Sequence, residues 1–140
     1  MLWQGIQVNN EIDLQKQVYV MGSILSYFCG LNYLDPAGRK DIGKNFLQTG
    51  KYLEDMLKKF GEEKQDRTNV KAYQKVKALV EELKLKGQQV NQYPKNRRAE
   101  IGEHYLVEIL KQIDNLTTEY RSQDNVRSLN ELIERKIKRH

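Results

Sequence analysis

Residues 70–120 read VKAYQKVKALVEELKLKGQQVNQYPKNRRAEIGEHYLVEILKQIDNLTTEY. Val70, Tyr73, Val76, Val80 and Leu83 recur at steps of three and four, which puts them on one face of a helix. The pattern weakens at Gly87 and ends in a turn around Pro94, because the residue before a proline avoids helical backbone. Ile101, Tyr105, Ile109, Ile113, Leu116 and Tyr120 then build a second stripe. Two amphipathic helices joined by a short turn form a hairpin. A hairpin with two apolar stripes needs further helices to cover them.

The same period extends outward. Leu14, Val18, Met21, Leu25 and Phe28 predict a helix from about Glu11 to Leu31, with Ile24, Tyr27 and Leu31 widening its stripe. Asp35-Pro36 is a helix start signal: Asp caps a free N–H, and proline suits the first turn. The helix that follows carries Ile42, Phe46, Leu53, Leu57 and Phe60. Gly43 and Gly50 lie inside it, where close helix packing would offset their cost of about 1 kcal/mol each. Gly61 is the expected C-terminal cap. Glu62 to Asn69 reads as a polar linker. Ser122 to Asn125 is read as a break, followed by a last helix from Val126 to about Lys138 with Val126, Leu129, Ile133 and Ile137 on its stripe. The expectation is a single all-α domain, a four- to five-helix bundle. Residues 1–10 would be an N-terminal arm, 11–61 and 68–120 two similar hairpins, and 124–138 a C-terminal helix.

The hairpins resemble each other in sequence. Pro36-Ala37-Gly38-Arg39-Lys40-Asp41-Ile42-Gly43-Lys44-Asn45-Phe46-Leu47 parallels Pro94-Lys95-Asn96-Arg97-Arg98-Ala99-Glu100-Ile101-Gly102-Glu103-His104-Tyr105-Leu106. Both give a proline turn, basic residues, an acid, Ile-Gly, an aromatic and Leu, with one extra residue in the second.

Composition narrows the function classes. The 140 residues include 31% charged residues, two prolines and one cysteine, with a net charge of +5. That length buries a core without disulfide or metal. Cys29 lies in an apolar run and reads as a small hydrophobe, and a lone cysteine suits a reducing compartment. No run reaches the roughly 18 to 20 apolar residues of a membrane span, and the start lacks a signal-peptide pattern. A cytoplasmic protein without membrane contact is expected. Residues 1–70 hold equal numbers of basic and acidic groups, so the excess lies in 71–140, with 15 basic against 10 acidic residues. A basic half points to an acidic partner such as RNA or DNA.

No Gly-rich phosphate loop, Ser-His-Asp order or Cys/His cluster is present, so no cofactor, metal or catalytic residue is expected. His104 stands one turn from both Glu100 and Glu108, without the second histidine that a zinc site needs. Arg98 and His104 fit the loose Arg-x(4–6)-His spacing of the HEPN ribonucleases, although Ala99 replaces the polar residue that usually follows the Arg. Tyr73, Tyr105 and Tyr120 fall on apolar stripes and read as core. The clearest signal is basic clustering at chain turns. Lys95, Arg97 and Arg98 open the second helix of one hairpin, and Arg39 and Lys40 occupy the matching place in the other. Arg121, Arg127, Arg135, Lys136, Lys138 and Arg139 follow. Phosphate binding needs such groups in register.

Tyr93-Pro94-Lys95-x-x-Arg98-x-x-Ile101-Gly102-Glu103 resembles a motif of the small four-helix-bundle proteins that include Avd, the accessory variability protein of diversity-generating retroelements. The resemblance covers roughly Val70 to Tyr120. The motif lies late in this chain but early in that family, and Ala99 stands where an aromatic is common there. The resemblance implies a basic, oligomeric, non-enzymatic protein that binds nucleic acid and a reverse transcriptase. A nucleocapsid-type coat protein, a protein–protein adaptor and a HEPN-like ribonuclease are the alternatives.

Overall fold

A computed structural model of the chain describes residues 10–27, 42–63 and 71–132. Five helices are formed there: α1 (Glu11–Ser26), α2 (Ile42–Glu63), α3 (Lys71–Asn91), α4 (Lys95–Leu116) and α5 (Thr118–Asp124). A further helical turn spans 129–132, and the described residues contain no strand. The all-α bundle read from the sequence is the observed fold.

Helix α1 starts where a cap residue permits it. Asn10 is extended, and its Oδ1 accepts the Asp13 N–H at 2.9 Å. Glu11 and Asp13 add negative charge to the first turn, where the helix dipole favours it. Leu14, Val18, Met21 and Leu25 are buried as their spacing requires. Tyr27 does not widen that stripe: it is 53% exposed. It stands nine residues after Val18, roughly 180° around the helix. Ile24 packs at the margin of the core.

In α2, Ile42, Phe46, Leu53, Leu57 and Phe60 are all buried. Gly43 meets Gly87 of α3 at a close crossing. A Cβ on Gly43 would lie 2.9 Å from the Gly87 carbonyl, and one on Gly87 would lie 2.9 Å from the Gly43 carbonyl. Gly87 is therefore a packing point, and α3 runs through it to Asn91 without weakening. Gly61 is not a cap, since α2 continues to Glu63 and no glycine among the described residues has the positive φ of that motif. Phe60 and Tyr73 stack at 6.4 Å. With Gly43 beside Gly87 and Phe60 beside Tyr73, α2 and α3 run antiparallel and form the most extensively packed helix pair.

Pro94 separates α3 from α4, and its extended ψ of 148° makes the corner. Helix α4 returns antiparallel to α3, with Arg98 near Asn91 and Glu108 near Lys86. Helix α1 also opposes α4, because Gln15 reaches Tyr120 while Gly22 abuts Ile113. The four long helices thus alternate up and down around one core. Leu79, Leu83, Leu106, Ile109, Leu110 and Ile113 are fully enclosed in it.

The second half of the bundle departs from the expected boundaries. Helix α4 ends at Leu116 rather than running on to Tyr120. The Thr117 hydroxyl donates to the Ile113 carbonyl at 2.8 Å, and the Thr118 hydroxyl donates to Asp114 at 3.2 Å. Such back-bonding bends a helix, and the backbone leaves helical geometry at Thr117, with φ −106° and ψ 14°. Helix α5 carries Tyr120 into the core and stops at Asn125, which takes the left-handed conformation with φ 53°. Val126 lies in a non-helical stretch, and Ser128 caps the next turn by accepting the Glu131 N–H at 3.2 Å.

Residues 1–9 of the expected N-terminal arm, Phe28, Cys29, Leu31, the Asp35-Pro36 start, Ile133, Ile137, and Arg39, Lys40, Arg135, Lys136, Lys138 and Arg139 lie outside the described residues.

Candidate nucleic-acid interface

Helix α4 opens with Lys95-Asn96-Arg97-Arg98 and has no acidic residue in its first turn. Cations there face the positive end of the helix dipole, an unfavourable placement of about 0.3 to 1 kcal/mol each. Arg98 finds local compensation. Its Nε donates to the Tyr93 carbonyl and its Nη2 to the Asn91 carbonyl, each at 2.8 Å. The Asn91 carbonyl ends α3 and the Tyr93 carbonyl lies in the turn beyond it, so Arg98 staples the turn and is largely occupied by structure. Lys95 and Arg97 are exposed, and their side chains have no ion-pair partner among the described residues. Helix α2 begins beside this turn: Ile42 lies over Gly102, where a Cβ would be 2.5 Å from Ile42 Cγ2. The N-termini of α2 and α4 therefore open at the same end of the bundle, and neither carries an acid in its first turn.

The other described candidates lie elsewhere. Arg121 and Arg127 follow the C-terminal end of α4, about 33 Å from Lys95 along a 22-residue helix. Arg121 is structural. Its Nη2 donates to the Asp114 carbonyl at 2.9 Å, and Nε lies 3.9 Å from Asp114 Oδ1, with only 19% of the side chain exposed. The Arg127 side chain is exposed, while its carbonyl accepts the Tyr19 hydroxyl at 2.8 Å. Burial, with the nearby Asp114 charge, pushes the Tyr19 hydroxyl above its ordinary range, so it stays a proton donor. The described members of the sequence-predicted set thus divide between two ends of the bundle. Lys95, Arg97 and Arg127 keep exposed cationic side chains, while Arg98 and Arg121 hold the fold.

Arg98 and His104 do not converge. Arg98 reaches back to α3, and His104 Nε2 lies 3.4 Å from Glu108 on its own helix. Glu108 also accepts from Lys86 at 2.8 Å, and Lys86 lies 3.6 Å from Glu82 and 4.8 Å from the Tyr105 ring centre. The Lys86 hydrogen bond holds the Glu108 carboxyl below its ordinary range. Burial pulls the Lys86 ammonium down, but Glu108 and Glu82 outweigh it and raise it overall. The group is an α3–α4 ion network. No cluster of three potential metal ligands occurs among the described residues.

Three cations were missed by a reading centred on the turns. Lys44, Lys51 and Lys58 are exposed on α2 at seven-residue steps. That spacing was the available signal. It is easily passed over because Glu54 and Asp55 interrupt the charge run locally. No described helix is long and apolar enough to cross a membrane. Compared with known proteins, the chain matches no family model, no curated protein and no solved structure.

Proposed function

We propose that this chain is a non-enzymatic helical subunit of a cytoplasmic nucleoprotein complex that binds RNA or DNA through phosphate contacts. The observation that carries the reading is the first turn of α4. Lys95 and Arg97 hold exposed charge where the helix's own field disfavours it, with no acid in that turn and no ion-pair partner among the described residues. A local rule broken without internal compensation marks a functional surface. A phosphate supplies the missing anion, and the free N–H groups of the first turn favour it further. The likeness of the Tyr93–Glu103 segment to the retroelement accessory proteins supports the same reading, with homo-oligomers and a reverse transcriptase as partners.

A HEPN-like ribonuclease is disfavoured by the separate engagements of Arg98 and His104. The test of the proposal is Lys95→Gln/Arg97→Gln. Removing two phosphate contacts lowers the log–log salt slope of duplex binding by about 2. Binding to every nucleic acid with an unchanged slope would overturn the role assigned to this turn.

A further inference from the structure

Resting on the nucleic-acid reading above, we infer that the outer face of α2 is a phosphate track for a duplex rather than for a single strand. Lys44, Lys51 and Lys58 recur every seven residues, a period that drifts only ~20° per step on a straight helix. They form a row about 21 Å long. Gln48, also exposed, fills the gap between the first two. None of the three lysines is ion-paired among the described residues, whereas Lys84 is held by Glu54 and Lys86 by Glu82 and Glu108. Lys84 and Lys86 are thus paired across the α2–α3 and α3–α4 seams, whereas the three lysines of the row have no ion pair among the described residues. Asp55, half-buried, flanks the row between its second and third lysines.

Two features fix the class of partner. The row is rigid, because the opposite face of α2 buries Ile42, Phe46, Leu53 and Phe60. A stiff row suits a stiff rod, and a duplex presents one phosphate charge per ~1.7 Å of axis, about 12 over this length. Single-strand binding relies instead on aromatic platforms for the bases. The residues of the row, Lys44, Gln48, Lys51, Asp55 and Lys58, are not aromatic, and Tyr52 beside them is engaged elsewhere: its hydroxyl accepts from Gln48 Nε2 at 2.8 Å and its side chain packs against the core. The row also joins the α4 turn. Gly43, beside Lys44, abuts Asn91, and the Asn91 carbonyl accepts Arg98. The row therefore begins at the end of the bundle where α4 starts.

The experiment uses the full chain and Lys44→Gln/Lys51→Gln/Lys58→Gln, with Lys44→Arg/Lys51→Arg/Lys58→Arg as the charge-preserving control. Binding to a blunt duplex and to a single strand of equal length is measured across a salt series. The expected result is a loss of tenfold or more in duplex affinity for the Gln variant, with a slope reduced by about 2 to 3. The Arg variant keeps wild-type binding, and the single strand is affected much less. Wild-type duplex affinity and slope in the Gln variant would overturn the track and leave the α4 turn standing. Equal losses on both nucleic acids would overturn the preference for a duplex. A wild-type chain that binds no nucleic acid at low salt would overturn this inference and the proposed function together.

Discussion

The Asp114 carboxylate in α4 accepts the backbone N–H of Leu129 at 2.8 Å across 15 residues of chain. The same group accepts the Asn130 N–H at 3.0 Å and its Nδ2 at 2.9 Å. A side chain of one helix thereby caps the start of another. Gln15 acts alike from α1, accepting the Tyr120 N–H of α5 at 2.9 Å. These polar groups fasten the segment after Thr117 to the bundle, with Leu129 buried beside Gly22.

Replacing Asp114 with Ala removes three charge-assisted bonds and leaves buried donors unpaired. The expected loss is about 2 to 4 kcal/mol of unfolding free energy. Urea denaturation measures it. A loss under about 0.5 kcal/mol, as at an ordinary surface site, would show that the capping contacts contribute little.

Glycines in α2 should respond with opposite signs. Gly43→Ala places a methyl 2.9 Å from the Gly87 carbonyl and forces the helices apart. It should cost about 1 to 3 kcal/mol. Gly50→Ala meets nothing nearer than 3.4 Å and gains helix propensity. It should stabilise the fold by up to about 1 kcal/mol. Thermal melts of the two variants check the pair, and equal effects would contradict the close crossing at Gly43.

How far the fold was legible follows from these same residues. Stripes such as Ile42-Phe46-Leu53-Phe60 and Ile109-Ile113 are local patterns, and burial follows them directly. The Gly43–Gly87 crossing, the Asp114 cap and the Gln15 contact join residues far apart in sequence, so no window of local pattern contains them. Arg98 and Arg121 had the composition of phosphate ligands. The folded turn after α3 and the break after α4 bring the Asn91, Tyr93 and Asp114 carbonyls, five to seven residues earlier, within their reach, and a residue-type reading does not give that geometry. Lys95 and Arg97 keep the exposure that their sequence position suggested.

Arg98→Ala should act on stability more than on binding. It frees two carbonyls at the α3–α4 turn and should cost about 1 to 2 kcal/mol. His104→Ala should change stability by no more than about 0.5 kcal/mol, because the side chain is 72% exposed. Nuclease activity lost in His104→Ala would contradict the non-enzymatic reading.

Acid should weaken the α3–α4 network in a defined direction. The Glu108 carboxyl is held below its ordinary range, chiefly by the Lys86 hydrogen bond. Its contribution is full above the unfolded value of about 4.3 and is lost as pH falls through the lowered folded value. The Tm gap between wild type and Glu108→Gln should therefore close as pH drops below that range. A gap that stayed constant from pH 7 down to about 2 would remove the ionised pair from the account.

The most direct test of the central claim is the affinity of the purified full chain for labelled RNA and DNA, single- and double-stranded, over a salt series. Micromolar or tighter binding is expected, with a logarithm of the affinity that falls linearly with log salt. The slope should correspond to several phosphate contacts at about 0.9 each for a duplex. Absence of binding at low salt, or binding indifferent to salt, would contradict it.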